Sequence, residues 1–199
     1  MNRSYDAISW RKPKVWILPT VMLVAIALLG TAYFGTNSGV SRLAKALQDG
    51  DADARYKAAK KLEELGPNGA EAIEQLAAAL SDTDSRVRYR AAKAVSKMGE
   101  VAAPAVTALT QGLQDPDREV RYYCSKALYK IGKAAEPARD AMVAGLSTED
   151  DETRVYLVKA VGDIGEGHSP SIEAVRRLCL VDNPKLRSAA KEALEDILD

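Results

Sequence analysis

The apolar and polar positions divide the chain into two parts with different patterns. Residues 15–34 form an apolar run without a single charged side chain. From residue 41 onward, apolar residues recur instead at helical spacing, as at Val87, Ala91 and Val95, and the pattern repeats every 33 residues. The first pattern predicts one long apolar helix, and the second predicts a series of amphipathic helices.

Glycines and arginines mark the 33-residue period most clearly. The glycines are Gly66, Gly99, Gly132 and Gly165, and the arginines are Arg55, Arg88, Arg121, Arg154 and Arg187. A fixed period of about this length is typical of repeat proteins, in which each unit buries its apolar face only against its neighbours. Such a fold offers an extended binding surface.

Each repeat is predicted to be a helix–turn–helix unit, and five such units occupy residues 41–199. In the second unit a first helix at 70–80 leads through the turn at 81–84 into a second helix at 85–99. Turn aspartates and serines are suited to capping the second helices, and the repeat glycines suit a left-handed position after them. Prolines fit the start of the first helices; they are Pro104, Pro137 and Pro170.

The apolar run at 15–34 is long enough for a helix to cross a bilayer. More basic residues precede it than follow it closely, so the positive-inside rule keeps residues 1–14 in the cytoplasm. Residues 35–40 then form a short linker, and the repeats lie on the far side of the membrane. In a bacterium this predicts an inner-membrane protein with a periplasmic solenoid.

A cleaved signal peptide is the alternative for the same run. The apolar stretch is long for that role, and its best small-residue cleavage site, around Gly30, is a poor one. Cleavage would release a secreted periplasmic interaction module. A buried core helix does not fit, because the sequence contains no second apolar helix to cover it.

A second set of columns in the same register predicts a binding surface. If the apolar stripe of each second helix faces the core, tyrosines and lysines lie on the opposite side of the helix. Tyrosine gives a large contact area with a polar tip, as protein interfaces favour. The predicted partner-binding residues are Tyr56, Lys60, Tyr89, Lys93, Tyr122, Lys126, Tyr156 and Lys159. The alternative is an ordinary solvated helix face.

The arginine column is predicted to be structural. It borders the apolar stripe, where each guanidinium can bind turn carboxylates or carbonyls of a neighbouring unit.

Composition and candidate chemistry exclude several other functions. The formal net charge is zero, which gives no support for nucleic-acid binding. His168 is the only histidine, and the two cysteines, Cys124 and Cys179, occupy positions that are apolar in other repeats. The sequence therefore predicts no catalytic site, metal site or cofactor.

Three stretches of the repeats carry a recognisable motif, namely DTDSRVRYRAAKAVSKMG, DPDREVRYYCSKALYKIG and, less closely, EDDETRVYLVKAVGDIG. They resemble HEAT-like repeats of the phycobilisome-lyase type, which are common in bacteria. The resemblance covers residues 41–199 and implies an all-α HEAT-like solenoid that binds or scaffolds proteins. It also implies that the second helices line the concave face, so the tyrosines and lysines are expected there. It also implies an alternative, a lyase or chaperone for a chromophore or cofactor.

Together these patterns predict a non-catalytic, membrane-anchored scaffold or accessory subunit. Its partners are expected to be protein subunits of a membrane complex, bound through their extramembrane parts.

Overall fold

The structure is a computed structural model that describes residues 39–147 and 150–198. The predicted cytoplasmic segment at 1–14 and the predicted membrane helix at 15–34 lie outside these residues. So does most of the predicted linker, although residues 39 and 40 are already helical. Among the described helices, none has the length and apolar character needed to span a membrane.

All regular structure in the described residues is helical, and it forms two layers. The first-helix layer consists of α1 (39–46), α3 (Ile73–Ala79), α5 (Val106–Gly112), α7 (Arg139–Gly145) and α9 (Ser169–Leu178). The second-helix layer consists of α2 (Ala52–Leu65), α4 (Ser85–Met98), α6 (Arg118–Ile131), α8 (Asp151–Ile164) and α10 (Pro184–Leu198). The predicted all-α solenoid of helix pairs is confirmed for the described part of the chain.

The second helices pack more extensively against one another than the first helices do. Each therefore buries an apolar stripe between its own first helix and its neighbours, as Val87, Ala91 and Val95 do in α4 and Val120, Cys124 and Leu128 do in α6. The predicted caps are confirmed as well. Aspartate side chains accept hydrogen bonds from backbone N–H groups at the starts of four second helices. These N-cap residues are Asp51, Asp84, Asp117 and Asp150.

The first helices differ from the prediction. A 3-10 segment runs from each repeat glycine into α3, α5 and α7, at Gly66–Ala72, Gly99–Ala105 and Gly132–Ala138. Pro104 and Pro137 lie inside these segments and not at an α-helix start, whereas Pro170 does lie in the first turn of α9. The tighter 3-10 turn accommodates a residue without an N–H group, and α-helical geometry begins only after it.

The repeat glycines also differ in part. Gly66, Gly99 and Gly132 have φ of 54°, 67° and 66°, but their ψ values lie between −130° and −139°, outside the left-handed helical region. For Gly165 the predicted positive φ is wrong, because its φ is −88°. Positive φ occurs instead at Gly167. At Gly165 a Cβ atom would lie 2.5 Å from the Val161 carbonyl oxygen, so this glycine serves close packing.

Glycines in the first helices admit larger side chains from the second helices. A Cβ atom at Gly112 would lie 2.4 Å from Cys124 Sγ, and one at Gly145 would lie 2.8 Å from Leu157 Cδ1. The same register positions in the preceding repeat hold Ala79 and Ala91, both buried. In the third repeat the smaller residue at position 112 therefore compensates for the larger one at position 124.

Candidate functional site

The arginine column links neighbouring repeats in the N-terminal part of the solenoid. Arg55 makes a two-point ion pair with Asp82, with Nε–Oδ2 and Nη2–Oδ1 distances of 2.6 and 2.8 Å. Arg88 binds Asp115 in the same way, at 2.7 and 3.1 Å. Each arginine also donates to carbonyls of its own turn, so one side chain fixes a turn and joins it to the next.

The column continues differently toward the C-terminus. Arg121 Nη1 donates to the Asp115 carbonyl at 2.7 Å, and Arg187 Nη1 donates to the Val181 carbonyl at 2.9 Å. Arg154 bonds Asp151 in its own helix, and its Nε atom is buried without a hydrogen-bond partner among the described residues. These contacts fix the arginines locally.

The second-helix layer carries a continuous row of tyrosines and cations, which we name the tyrosine–cation ladder. It includes five of the six tyrosines of helices α2–α8 in edge or tilted contact, with ring centroids 5.0 to 6.0 Å apart. The sixth, Tyr56, joins through Arg90, whose Nη2 donates to the Tyr56 hydroxyl at 2.9 Å. The ladder comprises Tyr56, Arg90, Tyr89, Lys93, Tyr123, Tyr122, Lys126, Tyr156, Tyr129 and Lys159.

Three of the ladder's cations, Arg90, Lys93 and Lys126, contact tyrosine rings of their own helix and of a neighbouring helix. Lys159 contacts a tyrosine ring of the preceding second helix, that of Tyr129. Lys93 Nζ is 5.5 Å from the ring centroids of both Tyr89 and Tyr123. Lys126 Nζ lies 5.8, 5.9 and 5.4 Å from the rings of Tyr122, Tyr123 and Tyr156. These distances fall within the range of cation–π attraction. The ladder is therefore preorganised by its own contacts.

The ladder differs from the predicted surface in two respects. Tyr56 and Tyr89 were expected to point away from the core, but both are half-buried and pack against the core edge, as Tyr123 does beside them. Lys60, predicted as its first lysine, is exposed, but among the described residues it makes no ring or ion-pair contact with the ladder. Among the other predicted residues, the structure brings together Tyr89, Lys93, Tyr122, Lys126 and Tyr156, with Lys159 beside Tyr129 and Tyr56 beside Arg90.

Glu63 is a member of this surface that sequence reasoning missed. Its side chain is only 8% exposed and forms ion pairs with Arg90, Lys97 and Lys93, at N–O distances of 2.8, 3.0 and 3.5 Å. Burial alone would raise the pKa of Glu63, but hydrogen bonds from Lys97 and Arg90 outweigh burial and lower this pKa. Its position on the same helix face as Tyr56, seven residues earlier, was the available signal.

The tyrosine hydroxyls of the ladder are electrostatically distinct. Burial and the hydrogen bond with Tyr156 raise the pKa of Tyr122. The pKa of Tyr156 is lowered, because the hydrogen bond with Tyr122 and the charge of Lys126 outweigh burial. Burial also raises the pKa of Tyr123. The ladder therefore sets tyrosine hydroxyls beside lysine amines, a combination that suits hydrogen bonding to anionic or polar groups.

Other candidate chemistry is sparse. His168 is the N-cap residue of α9, and its Nδ1 lies 2.8 Å from the Ser171 hydroxyl. Cys124 is fully buried and Cys179 is half-buried, and both are free thiols. In the part of the chain that the structure describes, no three His, Cys, Asp or Glu side chains converge as metal ligands would. A shallow depression near Arg139 is lined by both acids and bases, including Lys133, Asp163 and Glu166.

Several solved structures share this fold. An engineered protein is 24% identical, with a TM-score of 0.68 over 80% of this chain and 79% of that one. The complex of CpcE and CpcF of phycocyanin lyase from Nostoc sp. PCC7120 is 23% identical, with a TM-score of 0.66 over 79% and 64%. The archaeal HEAT-like repeats protein from Thermococcus onnurineus NA1 is 16% identical, with a TM-score of 0.61 over 85% and 75%.

No curated protein matches the sequence. The sequence model for HEAT repeats matches residues 40–110 and 106–195, which is most of the chain. The matched residues coincide with the helix pairs described above. The chain therefore belongs to the HEAT-repeat family.

Proposed function

We propose that this protein is a non-catalytic, membrane-anchored scaffold or accessory subunit. Its HEAT repeats bind the extramembrane part of a membrane protein complex, and the tyrosine–cation ladder is the binding surface. The observation that carries this proposal is the continuity of the ladder across four consecutive second helices, from Tyr56 in α2 to Lys159 in α8.

The composition of the ladder supports a protein partner. Tyrosine and arginine are enriched at the energetically dominant positions of protein interfaces. Ring contacts such as Tyr122 with Tyr156, centroids 5.4 Å apart, already restrict the side chains before binding. Less conformational entropy is then lost when a partner binds. A solvated lysine face would not need such mutual contacts.

The anchor in this proposal is the apolar run at 15–34, which places the repeats on the periplasmic side of a bacterial inner membrane. A C-terminal alkaline phosphatase fusion tests this topology, since that enzyme is active only outside the cytoplasm. We expect activity and retention in membranes after alkaline extraction. An inactive fusion, or recovery of a shortened soluble chain, would refute the anchored topology.

Copurification in mild detergent tests the binding surface. The Lys93→Glu/Lys126→Glu variant is expected to lose the membrane-complex subunits that the wild-type chain recovers. Its matched control is Lys61→Glu/Lys191→Glu, which changes the net charge equally at two exposed positions outside the ladder. Equal recovery by both variants, with unchanged thermal melting, would exclude the ladder.

The alternative of a chromophore lyase or cofactor chaperone stays a prediction. The likeness to the phycocyanin lyase is one of fold at 23% identity. Purified protein that neither binds nor transfers a tetrapyrrole would remove this alternative.

A further inference from the structure

We infer that the tyrosine–cation ladder takes an acidic protein segment, in extended form, across α4, α6 and α8. This inference rests on the proposed function and adds the chemical class of the partner. Three properties of the second-helix face support it: unpaired cations at its centre, a change of charge at its C-terminal end, and its length.

The cations of this face differ in whether a carboxylate of the protein pairs with them. Arg90, Lys93 and Lys97 share Glu63, which neutralises part of their charge. By contrast, the contacts of Lys126 are to three tyrosine rings, and no ion pair involves Lys126 or Lys159 within the described residues. A carboxylate reaching this region would gain a charge-assisted hydrogen bond that the protein itself leaves unmade.

The sign of the charge changes along the same face. One register column reads Lys60, Lys93, Lys126, Lys159 and then Glu192, and the column four residues later reads Glu64, Lys97, Lys130 and then Asp163 and Asp196. At the C-terminal end the acids reinforce one another. Burial and the charges of Asp196 and Glu192 raise the pKa of Asp163 against the opposing effect of Lys159.

This reversal favours a short acidic segment over a long polyanion. Carboxylates of a partner would be attracted to α4 and α6 and repelled beyond α8, so the face defines where the segment ends. A long nucleic-acid strand would extend beyond the lysines, and its phosphates would then be repelled by the carboxylates of Asp163, Glu192 and Asp196. Three helices at about 8–10 Å spacing extend over roughly 20 Å, which about six to eight extended residues can follow.

Fluorescence anisotropy with labelled octaglutamate tests the inference on the full-length chain in neutral detergent. We expect octaglutamate to bind and octalysine not to bind. Raising the salt from about 0.05 M to about 0.5 M should weaken the binding strongly, because it shortens the screening length. Lys126→Glu should weaken it about tenfold or more, whereas the matched Lys191→Glu should leave it within about twofold. Tyr156→Phe, which keeps the ring, should weaken binding less than Lys126→Glu does.

Specific outcomes overturn the inference. Octaglutamate binding no better than octalysine, or equal losses for Lys126→Glu and Lys191→Glu, would contradict it. Tighter binding of a single-stranded oligothymidylate than of octaglutamate would indicate nucleic acid instead. A dimer in sedimentation that Lys126→Glu dissociates would indicate a second copy of the chain.

The same data separate the inference from the proposed function. If octaglutamate does not bind while Lys93→Glu/Lys126→Glu still abolishes copurification, the ladder is the binding surface but its partner is not an acidic segment. If octaglutamate binds while the wild-type chain recovers no membrane subunits, the acidic specificity stands and the scaffold function is wrong.

Discussion

The N-terminal and C-terminal repeat boundaries have the same architecture but different chemistry. Between α2 and α4, and between α4 and α6, arginine–aspartate pairs with side chains at most 14% exposed join successive turns. Between α8 and α10, the position equivalent to those aspartates is Val181, and Arg154 binds within its own helix. There, the helices approach closely at Gly162, where a Cβ atom would lie 2.9 Å from Ala193 Cβ.

The difference shows that the 33-residue period fixes helix positions without fixing how neighbouring repeats adhere. Paired charges make one boundary sensitive to pH and to loss of either partner. Close contact makes the other boundary sensitive to side-chain volume. The binding ladder lies mainly on α4, α6 and α8, so it crosses the charge-paired boundary between α4 and α6 but not the close-packed boundary between α8 and α10.

The largest effect is expected at the C-terminal boundary. Gly162→Val would force the added atoms into Ala193, and we expect a loss of about 3 kcal/mol in the free energy of unfolding. Urea denaturation followed by circular dichroism measures it. As a control, Thr107→Val changes an exposed residue of α5 and should alter stability by less than about 0.5 kcal/mol. A neutral Gly162→Val variant would contradict the close packing of α8 and α10.

The arginine column gives a direct comparison between the two halves. Arg88→Met leaves Asp115 without its cation and should cost about 2 kcal/mol. Arg154→Met removes a contact within one helix and should cost less than about 1 kcal/mol. Both variants are measured by urea denaturation. Equal costs would show that the two boundaries depend on this column alike.

A compensating pair should restore the packing of the third repeat. Gly112→Ala pushes a Cβ atom into Cys124 Sγ and should cost about 1–2 kcal/mol. Adding Cys124→Ala recreates the Ala79–Ala91 pair of the preceding repeat and should return most of that loss. A double-mutant cycle measures the coupling. Additive losses would argue against a shared packing volume.

Lowering the pH should have opposite effects on the stability of the N-terminal and C-terminal repeats. The hydrogen bond from Arg55 lowers the pKa of Asp82, and that from Arg86 lowers the pKa of Asp84 to about 2. Their stabilisation is present above the unfolded pKa of about 4 and is lost as the pH falls through the lower folded values. The raised pKa of Asp163 has the reverse sign, because burial and the charge of Asp196 disfavour its ionised form. Its protonation as the pH falls toward the unfolded pKa of about 4 therefore removes a destabilising charge from α8.

Hydrogen exchange, corrected for the intrinsic rate at each pH, distinguishes the two ends. Between about pH 4 and pH 2, protection should fall first in α2 and α4. The Asp82→Asn variant should show a shallower fall there than the wild-type chain. Simultaneous loss in α2, α4 and α10 would contradict two chemically different boundaries.

The sequence predicted the helix pairs and their caps, because periodic apolar residues and turn aspartates report local structure. It did not predict the 3-10 segments before α3, α5 and α7, since these depend on how the chain leaves each positive-φ glycine. It also missed Gly165 as a packing residue, because a glycine in register resembles a turn glycine until its neighbours are known. Gly162 lies outside that register, and its close approach to Ala193 depends on how α8 packs against α10.

The candidate surface was predictable to a similar degree. The spacing of the tyrosines and lysines placed them on one face, but their half-buried contacts arise between helices and depend on the distance between repeats. Glu63 was missed for the same reason. Its three cations come from α4, and only the packing of α2 against α4 brings them together.

Photo-crosslinking in intact membranes tests the central claim most directly. Benzoylphenylalanine in place of Tyr123, at the middle of the ladder, should form a crosslink to a membrane-complex subunit. The same group in place of Thr107, exposed on the first-helix layer, should form none. A crosslink from Thr107 but not from Tyr123 would show that the partner binds the opposite face and would contradict the account.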